Sequence, residues 1–264
     1  MYSRGTTASV SSLLKVSDIS FAYGSNAVLQ SAAFAAGPGE FVALLGLNGA
    51  GKSTLLDILA GLRTADAGSV QIDGRELKLW DARERARWIS HLPQGIRSEL
   101  PFTVEQIVMM GRYAHADRWF ESEADLQRAV SAMERMQCLA YRNRSYYTLS
   151  GGERQRVLLA ACLAQEPKIL LFDEPSTYLD VQQQLHCFST LTKLADAGAL
   201  CVAVTHDLNL ALAHCTRLLV LHEGRIAADT LVVNAARDAE WLSLLSPDLR
   251  LVETPEGRPW VVYR

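Results

Sequence analysis

The sequence predicts an α/β fold with a parallel sheet at its core. Short, continuous apolar runs recur along the chain, at residues 41–45, 169–172, 201–204 and 218–221. Such runs, when turn residues bound them, are typical of strands that are buried on both faces. Segments with helical spacing separate them, and this alternation favours parallel strands joined by right-handed crossovers.

The N-terminal part predicts strands of a different kind. Alternating apolar residues over 14–23 predict a strand pair, and residues 24–26 predict a turn. Residues 69–74 also predict a strand that ends in a turn. Between these strands, a helix is expected to start in the glycine-rich segment 46–54 and to end at Gly61, which is a favourable C-terminal residue.

The middle of the chain predicts a helical lobe inserted between strands. From residue 103 to about residue 142 the apolar positions follow helical spacing, without a convincing strand pattern. We expect a single domain over 1–264, with this lobe at about 95–160 and a tail at about 230–264. The tail predicts one helix at 235–245 followed by an extended segment.

Composition narrows the classes of function. The 264 residues include 26 basic and 29 acidic side chains, for a net charge of −3. A slightly acidic chain lacks the excess of basic residues that is typical of nucleic-acid-binding proteins. The basic run 81–88 also contains acids and predicts a solvated helix face. No apolar run is long enough to span a bilayer, and the N-terminus lacks the apolar centre of a secretory signal. Five cysteines without CxxC or metal-ligand spacing predict buried free thiols.

Residues 46–54, GLNGAGKST, match the G-x-x-x-x-G-K-[ST] phosphate-loop pattern in full. An apolar run precedes the loop and a leucine-rich helical stretch follows it, which is the context that the motif requires. The glycines let backbone N–H groups turn toward a phosphate, and the helix N-terminus adds a positive dipole. Lys52 is expected to reach the β and γ phosphates, and the Ser53 hydroxyl to bind Mg²⁺.

Two acids follow the apolar run at 169–172. Asp173 is expected at the carboxyl edge of the sheet, where nucleotides bind in open α/β folds, and would hold Mg²⁺. Glu174 points elsewhere and could take a proton from the attacking water, which favours ATP hydrolysis over binding alone. His206, just after the run at 201–204, could contact the γ-phosphate. A packed or capping histidine is the alternative for that position.

A second glycine-rich segment, LSGGE at 149–153, precedes another predicted helix. Ser150 and Glu153 have the spacing of a capping box, and a well-capped helix needs no ligand. Gly151 and Gly152 are poor helix formers, costing up to about 1 kcal/mol each relative to alanine. Their place in the first turn favours close approach of an anion to the helix start. Because the phosphate loop already serves a bound nucleotide, this second site predicts a phosphate held by another molecule.

Taken together, these motifs closely resemble the nucleotide-binding subunit of ABC transporters. The resemblance covers about residues 14–226, and its motifs keep the family's order: FAYG, the phosphate loop, LPQ, LSGGE, ILLFDEP, STYLD and the histidine of VTHD. It implies a P-loop NTPase fold with a parallel-sheet core, an antiparallel β subdomain and an inserted helical subdomain. It also implies that two copies pack head to tail, so that LSGGE of one copy closes over ATP in the phosphate loop of the other. STYLD departs from the family at Tyr178, where a small residue is usual.

The resemblance also assigns roles residue by residue. Tyr23 would stack on adenine, and Gln94 would sense Mg²⁺ and the attacking water. The catalytic residues would be Lys52, Gln94, Glu174 and His206. The Mg²⁺ ligands would be Ser53, Gln94 and Asp173. The ATP-binding residues would be Tyr23, Gly46, Asn48, Gly49, Ala50, Gly51, Lys52, Ser53, Thr54, Ser150, Gly151, Gly152, Glu153 and Asp180.

The kind of family member is narrowed by what accompanies the motifs. One phosphate loop, no long heptad run and no spanning segment suit an importer, whose ATPase is usually a separate subunit. Residues 101–115, residues 205–215 and the closing EGRPWVV are similar to ATPases that import metal chelates: ferric siderophores, haem or cobalamin. This implies a homodimer at the cytoplasmic face of the membrane, bound to separate permease subunits. A periplasmic or surface substrate-binding protein would be an indirect partner through the permease, and no nucleic acid is expected as a partner.

Two alternatives come from other classes. A soluble ABC-type ATPase with a regulatory or assembly role would carry the same motifs without a permease. A nucleotide-binding switch that does not turn over is the other alternative, and Glu174 and His206 argue against it.

Overall fold

The computed structural model describes residues 12–95, 100–115, 122–235, 237 and 239–263. Its strands, in chain order, are β1 (Leu14–Tyr23), β2 (Asn26–Ala36), β3 (Phe41–Leu45), β4 (Ala67–Ile72), β5 (Arg75–Glu76), β6 (Ile89–Leu92), β7 (Ile169–Asp173), β8 (Leu200–Val204), β9 (Arg217–His222), β10 (Arg225–Leu231), β11 (Leu249–Glu253) and β12 (Pro259–Tyr263). Its helices are α1 (Lys52–Leu59), α2 (Ala82–Trp88), α3 (Val104–Met110), α4 (Glu123–Arg135), α5 (Gly151–Ala164), α6 (Val181–Asp196), α7 (Leu208–His214), α8 (Val232–Ala235) and α9 (Glu240–Ser243). The predicted α/β class is confirmed.

The central sheet has the strand order β10-β9-β3-β8-β7-β6. The strands from β9 to β6 run parallel to one another, and β10 is antiparallel to β9. Every residue of β3, β7 and β8 is buried, as predicted from their continuous apolar runs. Because the parallel strands share one direction, their carboxyl ends meet at one edge of the sheet.

The central sheet separates two apolar cores. Phe41, Ala43 and Leu45 belong to the core that also contains the helical lobe, α6 and α7. Val42 and Leu44 belong to the other core, beneath α1 and the N-terminal strands. Alternate residues of a strand point to opposite faces, so one short apolar run supplies both cores.

The N-terminal sheet is antiparallel, with the strand order β2-β1-β4-β5. The prediction of a strand pair within residues 14–23 is wrong, because this segment is one strand and its partner is β2, across the predicted turn. The sequence did not predict β2, since its alanines have low strand propensity. Its pattern is visible in the burial of its side chains instead, where the buried residues Ala32, Phe34 and Ala36 alternate with exposed alanines.

The predicted helical region between β6 and β7 is confirmed within the described residues. Helices α3, α4 and α5 pack together, and Val104, Ile107 and Met133 are buried among them. Gly111 lies at the end of α3, where an added Cβ would be 2.2 Å from the carbonyl oxygen of Ala161 in α5. That contact lets the two helices approach closely.

The sequence also missed β6, which completes the far edge of the parallel sheet. β6 follows α2 directly and pairs with β7 in parallel register. Helix α2 itself matches the predicted solvated face, because none of its residues is buried.

The tail differs from its prediction. One helix was predicted at 235–245, but the structure contains the two short helices α8 and α9. Trp241 in α9 is buried, and its indole N–H donates to the carbonyl oxygen of Ala235 in α8 at 3.2 Å. The predicted extended segment is confirmed as β12, which pairs with β11 in a hairpin.

All five cysteines are free and buried, as predicted. Burial raises the pKa of the Cys187 and Cys201 thiols to about 12. Among the described residues, no helix has the length and apolar character needed to cross a membrane.

Candidate functional site

Four parallel strands deliver the predicted catalytic residues to one edge of the central sheet. The phosphate loop follows β3, and Asp173 is the last residue of β7. Gln94 follows β6, and His206 follows β8. The strand order places β3 beside β8, β8 beside β7, and β7 beside β6. Segments that are far apart in the sequence therefore meet at the carboxyl edge, where open α/β sheets bind nucleotides.

The phosphate loop forms a cradle with its own backbone. Gly51 begins α1 with a φ of 100°, a left-handed conformation that favours glycine, and no side chain caps this helix. At Gly46, an added Cβ would lie 2.4 Å from the carbonyl oxygen of Leu221. The Lys52 ammonium donates to the carbonyl oxygens of Gly46 and Leu47 at 2.8 and 2.9 Å. The lysine is therefore held inside the curve of the loop.

The other residues of the loop differ in exposure. Asn48 and Gly49 are exposed at its tip. The Ala50 N–H donates to the carbonyl oxygen of Leu47 at 3.2 Å and closes the turn. Thr54 is buried in the first turn of α1. Ser53, between Lys52 and Thr54, is exposed.

Burial leaves two opposite charges poorly solvated beside the loop. Lys52 is 7% exposed and Asp173 is 4% exposed. Loss of water lowers the pKa of Lys52, against the attraction of Asp173 and Glu174. Loss of water raises the pKa of Asp173, although a hydrogen bond from Ser53 acts in the opposite direction. Such groups gain most when a phosphate or a cation binds to them.

The Ser53 hydroxyl and the Asp173 carboxylate fit a magnesium ion. Ser53 is close enough to Asp173 to lower the pKa of its carboxyl group, so two oxygen ligands already lie near each other. Mg²⁺ prefers oxygen ligands and is usually held by one or two protein groups together with phosphate oxygens. The rest of its coordination would come from the nucleotide and water.

The Glu174 carboxylate is held by three side-chain donors. The Gln94 amide donates to Oε1 at 2.8 Å, and Nε2 of His206 lies 3.0 Å from the same oxygen. Because an ionised carboxylate only accepts, Nε2 of His206 must carry the hydrogen. The Thr177 hydroxyl donates to Oε2 at 3.0 Å. The backbone of Glu174 has a φ of 54°, an uncommon conformation of the kind that clusters at functional sites.

Sequence reasoning missed Thr177. Its N–H donates to the carbonyl oxygen of Glu174 at 3.2 Å, so residues 174–177 form a tight turn that returns the hydroxyl to the carboxylate. The signal that could have found it is Pro175, since proline at the second position favours such a turn.

Tyr23 lies at the tip of the β1–β2 hairpin, whose second strand contacts the phosphate loop. The hairpin contacts the loop through Val28 and Leu29, and an added Cβ on Gly51 would lie 3.0 Å from each of their side chains. The Tyr23 side chain is half exposed. An exposed aromatic ring on a hairpin that contacts the phosphate loop can stack on a nucleotide base.

The second glycine-rich segment is a capped helix start in a cleft of its own. Ser150 Oγ accepts from the Glu153 N–H at 3.3 Å, and the Glu153 carboxylate accepts from the Ser150 N–H at 2.7 Å, so the predicted capping box is confirmed. An added Cβ on Gly152 would lie 2.8 Å from the carbonyl oxygen of Tyr178. A loop of the same chain therefore makes a close approach at Gly152, and this contact by itself accounts for glycine at that position.

Asp180 lies in the same cleft as the second glycine-rich segment. Its carboxylate caps α6 by accepting from the Gln183 N–H at 2.9 Å. The cleft has a volume of about 530 Å³ and is lined by Ser150, Gly151, Gly152, Glu153, Arg156, Tyr178, Asp180 and Gln183. None of these described residues belongs to the phosphate loop. One chain therefore carries two separate groups of predicted ATP-binding residues.

Comparison with known proteins identifies the family. The family model for ABC transporters matches residues 29–177. The hemin import ATP-binding protein HmuV of Pseudomonas putida is 38% identical over 258 residues, which cover 96% of this chain and all of the relative. The protein of the same name from Myxococcus xanthus is 43% identical over 196 residues, covering 72% of this chain and 73% of the relative.

Solved structures agree with this assignment. A chain described as part of a metal-chelate type ABC transporter in an inward-facing conformation superimposes with a TM-score of 0.79 at 28% identity, covering 96% of this chain and 98% of that chain. A dimeric ATP-binding cassette in a post-hydrolysis state with ADP and phosphate superimposes with a TM-score of 0.76 at 27% identity. The match covers 83% of this chain and 98% of that chain. The chain therefore belongs to the ABC transporter family and is an ABC ATPase.

Proposed function

We propose that this ATPase powers an importer of a metal chelate, with haem as the first candidate, and that it works as a head-to-tail pair of copies. The observation that carries the hydrolytic part is the Glu174 carboxylate, held by three donors at the sheet edge that also bears the phosphate loop. A carboxylate fixed in this way can accept a proton from a water molecule aimed at a phosphate.

Each residue of the edge has a place in this proposal. Lys52 and the loop backbone bind the β and γ phosphates. Ser53 and Asp173 would hold Mg²⁺, which when bound neutralises charge on the phosphate oxygens. Glu174 takes the proton of the attacking water. The catalytic roles of Gln94 and His206 follow from their contacts with that carboxylate.

Gln94 has a further place as a metal ligand. Its amide nitrogen is engaged with Glu174, so its carbonyl oxygen is the atom left for Mg²⁺. A single side chain would then connect the metal position with the general base.

The paired arrangement is supported by the two separate groups of binding residues. The phosphate-loop group and the LSGGE cleft do not share lining residues among those described. In a head-to-tail pair, Ser150, the glycines and Asp180 of one copy would complete the ATP site of the other. The similar post-hydrolysis cassette is dimeric, which supports the pairing of two copies.

The test of the hydrolytic site is Glu174→Gln. The amide cannot act as a base, so we expect turnover to fall by about 10²–10⁴-fold while ATP binding is retained. The variant should accumulate as a dimer in MgATP, which size-exclusion chromatography with light scattering would detect. Glu223→Gln, at an exposed carboxylate, is the matched control and should behave like the parent. Near-normal turnover in Glu174→Gln would remove the general-base role.

The import function rests on the relatives and on the surface of the helical lobe. Similar proteins are hemin import ATP-binding proteins, and a similar structure is of the metal-chelate type. The lobe exposes the large apolar side chains of Phe102, Met110 and Tyr113. Met110 and Tyr113 are three residues apart at the end of α3, and exposed apolar side chains that lie together mark interaction surfaces. We assign this surface to a membrane permease, which would place the chain at the cytoplasmic face of the membrane.

The partner is tested by purifying the tagged chain from its own cells in mild detergent. We expect a hydrophobic chain with many spanning segments, identified by mass spectrometry. Tyr113→Ser should reduce its recovery, whereas Tyr263→Ser, at an equally exposed tail position, should not. A substrate-binding protein of the same system should stimulate ATP turnover when loaded with haem. Recovery of an active ATPase without a membrane chain would favour the soluble regulatory alternative, and stimulation by a siderophore or cobalamin instead would change the cargo.

A further inference from the structure

Arg63 lies over two aromatic rings near the tip of the β1–β2 hairpin, those of Phe21 and Tyr23, which we call the aromatic platform. Its guanidinium carbon is 5.0 Å from the ring centroid of Tyr23 and 5.1 Å from that of Phe21. The two rings meet edge to face, with centroids 5.0 Å apart and planes at 86°. The cation therefore lies within cation–π distance of both rings and covers part of the Tyr23 face.

Other contacts hold Arg63 only loosely. Its closest carboxylate is Asp57, whose Oδ2 lies 3.7 Å from the guanidinium nitrogen. Its Nε atom is buried without a hydrogen-bond partner among the described residues. About a third of the side chain is exposed. The aromatic rings are thus the contacts that position this cation.

The segment that carries Arg63 follows the C-terminus of α1, the helix whose N-terminus is the phosphate loop. The same segment is tied to the platform, because Asp66 accepts from the Ala22 N–H at 2.8 Å and donates its own N–H to the carbonyl oxygen of Ser20. A single rigid helix therefore connects the phosphate cradle with the group that covers Tyr23. The helix therefore sets the distance between the phosphate cradle and Arg63.

We infer that Arg63 is a positioning residue for the purine base: it holds the Tyr23 ring in place and leaves the opposite face for the base. The inference rests on the proposed role of Tyr23 in nucleotide binding. Fixing the ring before binding removes an ordering cost from association, so the gain is in affinity and not in the chemical step. Among the described residues, the side-chain contacts of Arg63 are with Tyr23, Phe21 and Asp57, so we expect it to affect binding of the base and not phosphate binding or proton transfer.

The test is the affinity for ADP and for pyrophosphate, measured by titration calorimetry with Mg²⁺ on the full chain. Arg63→Met keeps the length of the side chain and removes the charge. We expect this variant to bind ADP about fivefold more weakly and to bind pyrophosphate with unchanged affinity. The KM for ATP should rise by the same factor with kcat unchanged. Arg63→Lys should recover most of the loss, because it restores the cation.

Arg75→Met is the matched control. Arg75 also places its guanidinium over a ring, 5.2 Å from the Trp80 centroid, in the same sheet region. It should leave both affinities unchanged. In a Tyr23→Ala background, Arg63→Met should cause no further loss of ADP affinity.

Three results would overturn the inference: unchanged ADP affinity in Arg63→Met, an equal loss for pyrophosphate, or full additivity with Tyr23→Ala. If Tyr23→Ala alone does not weaken ADP, base stacking and this inference fall together. The hydrolytic proposal would still stand in that case, because Glu174→Gln tests it separately. Thermal unfolding of each variant shows whether a loss of affinity reflects a loss of the folded structure. If Arg63→Met unfolds, the affinity of the folded Arg63→Lys variant for ADP is compared with that of the parent protein instead.

Discussion

Two glycine-rich segments start helices in this chain, and they use glycine for different physical reasons. In the phosphate loop, Gly51 adopts a left-handed conformation and the helix start has no side-chain cap. In LSGGE, Ser150 and Glu153 form a complete capping box. The first segment leaves its helix start without a side-chain cap, whereas the second caps its own helix start with Ser150 and Glu153.

The second segment needs glycine because of its neighbour. An added Cβ on Gly152 would lie 2.8 Å from the Tyr178 carbonyl oxygen, while one on Gly151 would reach only ordinary contact, 3.4 Å from the Tyr178 side chain. The Asp180 loop therefore fits directly against the start of α5. This comparison shows that similar composition at two helix starts does not establish the same kind of site at both.

Substitutions that disable each segment separately test the difference between them most directly. Lys52→Ala removes a buried cation from the phosphate position, and we expect ATP affinity to fall about a hundredfold. Ser150→Arg should leave ATP binding by the single chain intact and lower turnover at least about a hundredfold, since it blocks the second copy's site. Equilibrium binding and steady-state ATPase assays on the same preparations distinguish the two effects.

Ser150→Ala is the control for the helix start. It removes the capping hydroxyl, costing about 1 kcal/mol of stability, without adding bulk or charge. Unchanged ATPase activity in Ser150→Arg would show that LSGGE only caps α5.

A smaller effect separates the two glycines of LSGGE. Gly152→Ala should lower the free energy of unfolding by about 1 kcal/mol, because a clash of about 1–3 kcal/mol exceeds the gain in helix propensity. Gly151→Ala has room for its methyl group and should be neutral or stabilising. Denaturant titration measures both. Equal stabilities for the two variants would mean that the Tyr178 loop yields and does not require glycine at position 152.

The smallest expected effect tests desolvation beside the phosphate loop. The pKa of Asp173 is raised by burial, so its charged form destabilises the folded chain. Asp173→Asn should therefore raise the melting temperature of the nucleotide-free protein at pH 7 by a few degrees.

The sign of the pH dependence follows from the raised pKa. Below the ordinary pKa of aspartate, both folded and unfolded chains carry the neutral acid, and the difference between parent and variant should vanish. It should grow as pH rises from that value through the higher pKa of the folded state. Calorimetric scans from about pH 3, below the ordinary pKa of aspartate, to about pH 8 would measure it. A constant difference over this range would contradict the assignment to desolvation.

Much of the fold could be predicted because its signals are local. Buried parallel strands produce continuous apolar runs, and the capping box of α5 depends on side chains three positions apart. The strand β2 was missed because its alanines do not reveal their burial. The tail helix was misjudged because Trp241 contributes more by packing than by helix propensity.

The sequence by itself determined the phosphate loop, the two acids after β7 and the capped start of α5, since each is written in neighbouring residues. Tertiary structure alone decided that Gln94 and His206 both meet Glu174, and that Tyr178 lies against Gly152. Arg63 over Tyr23 belongs to the same class of contact. The physical reason is that local hydrogen bonds and apolar patterns follow from residue spacing, whereas contacts between distant segments depend on strand order and on how closely the backbones approach.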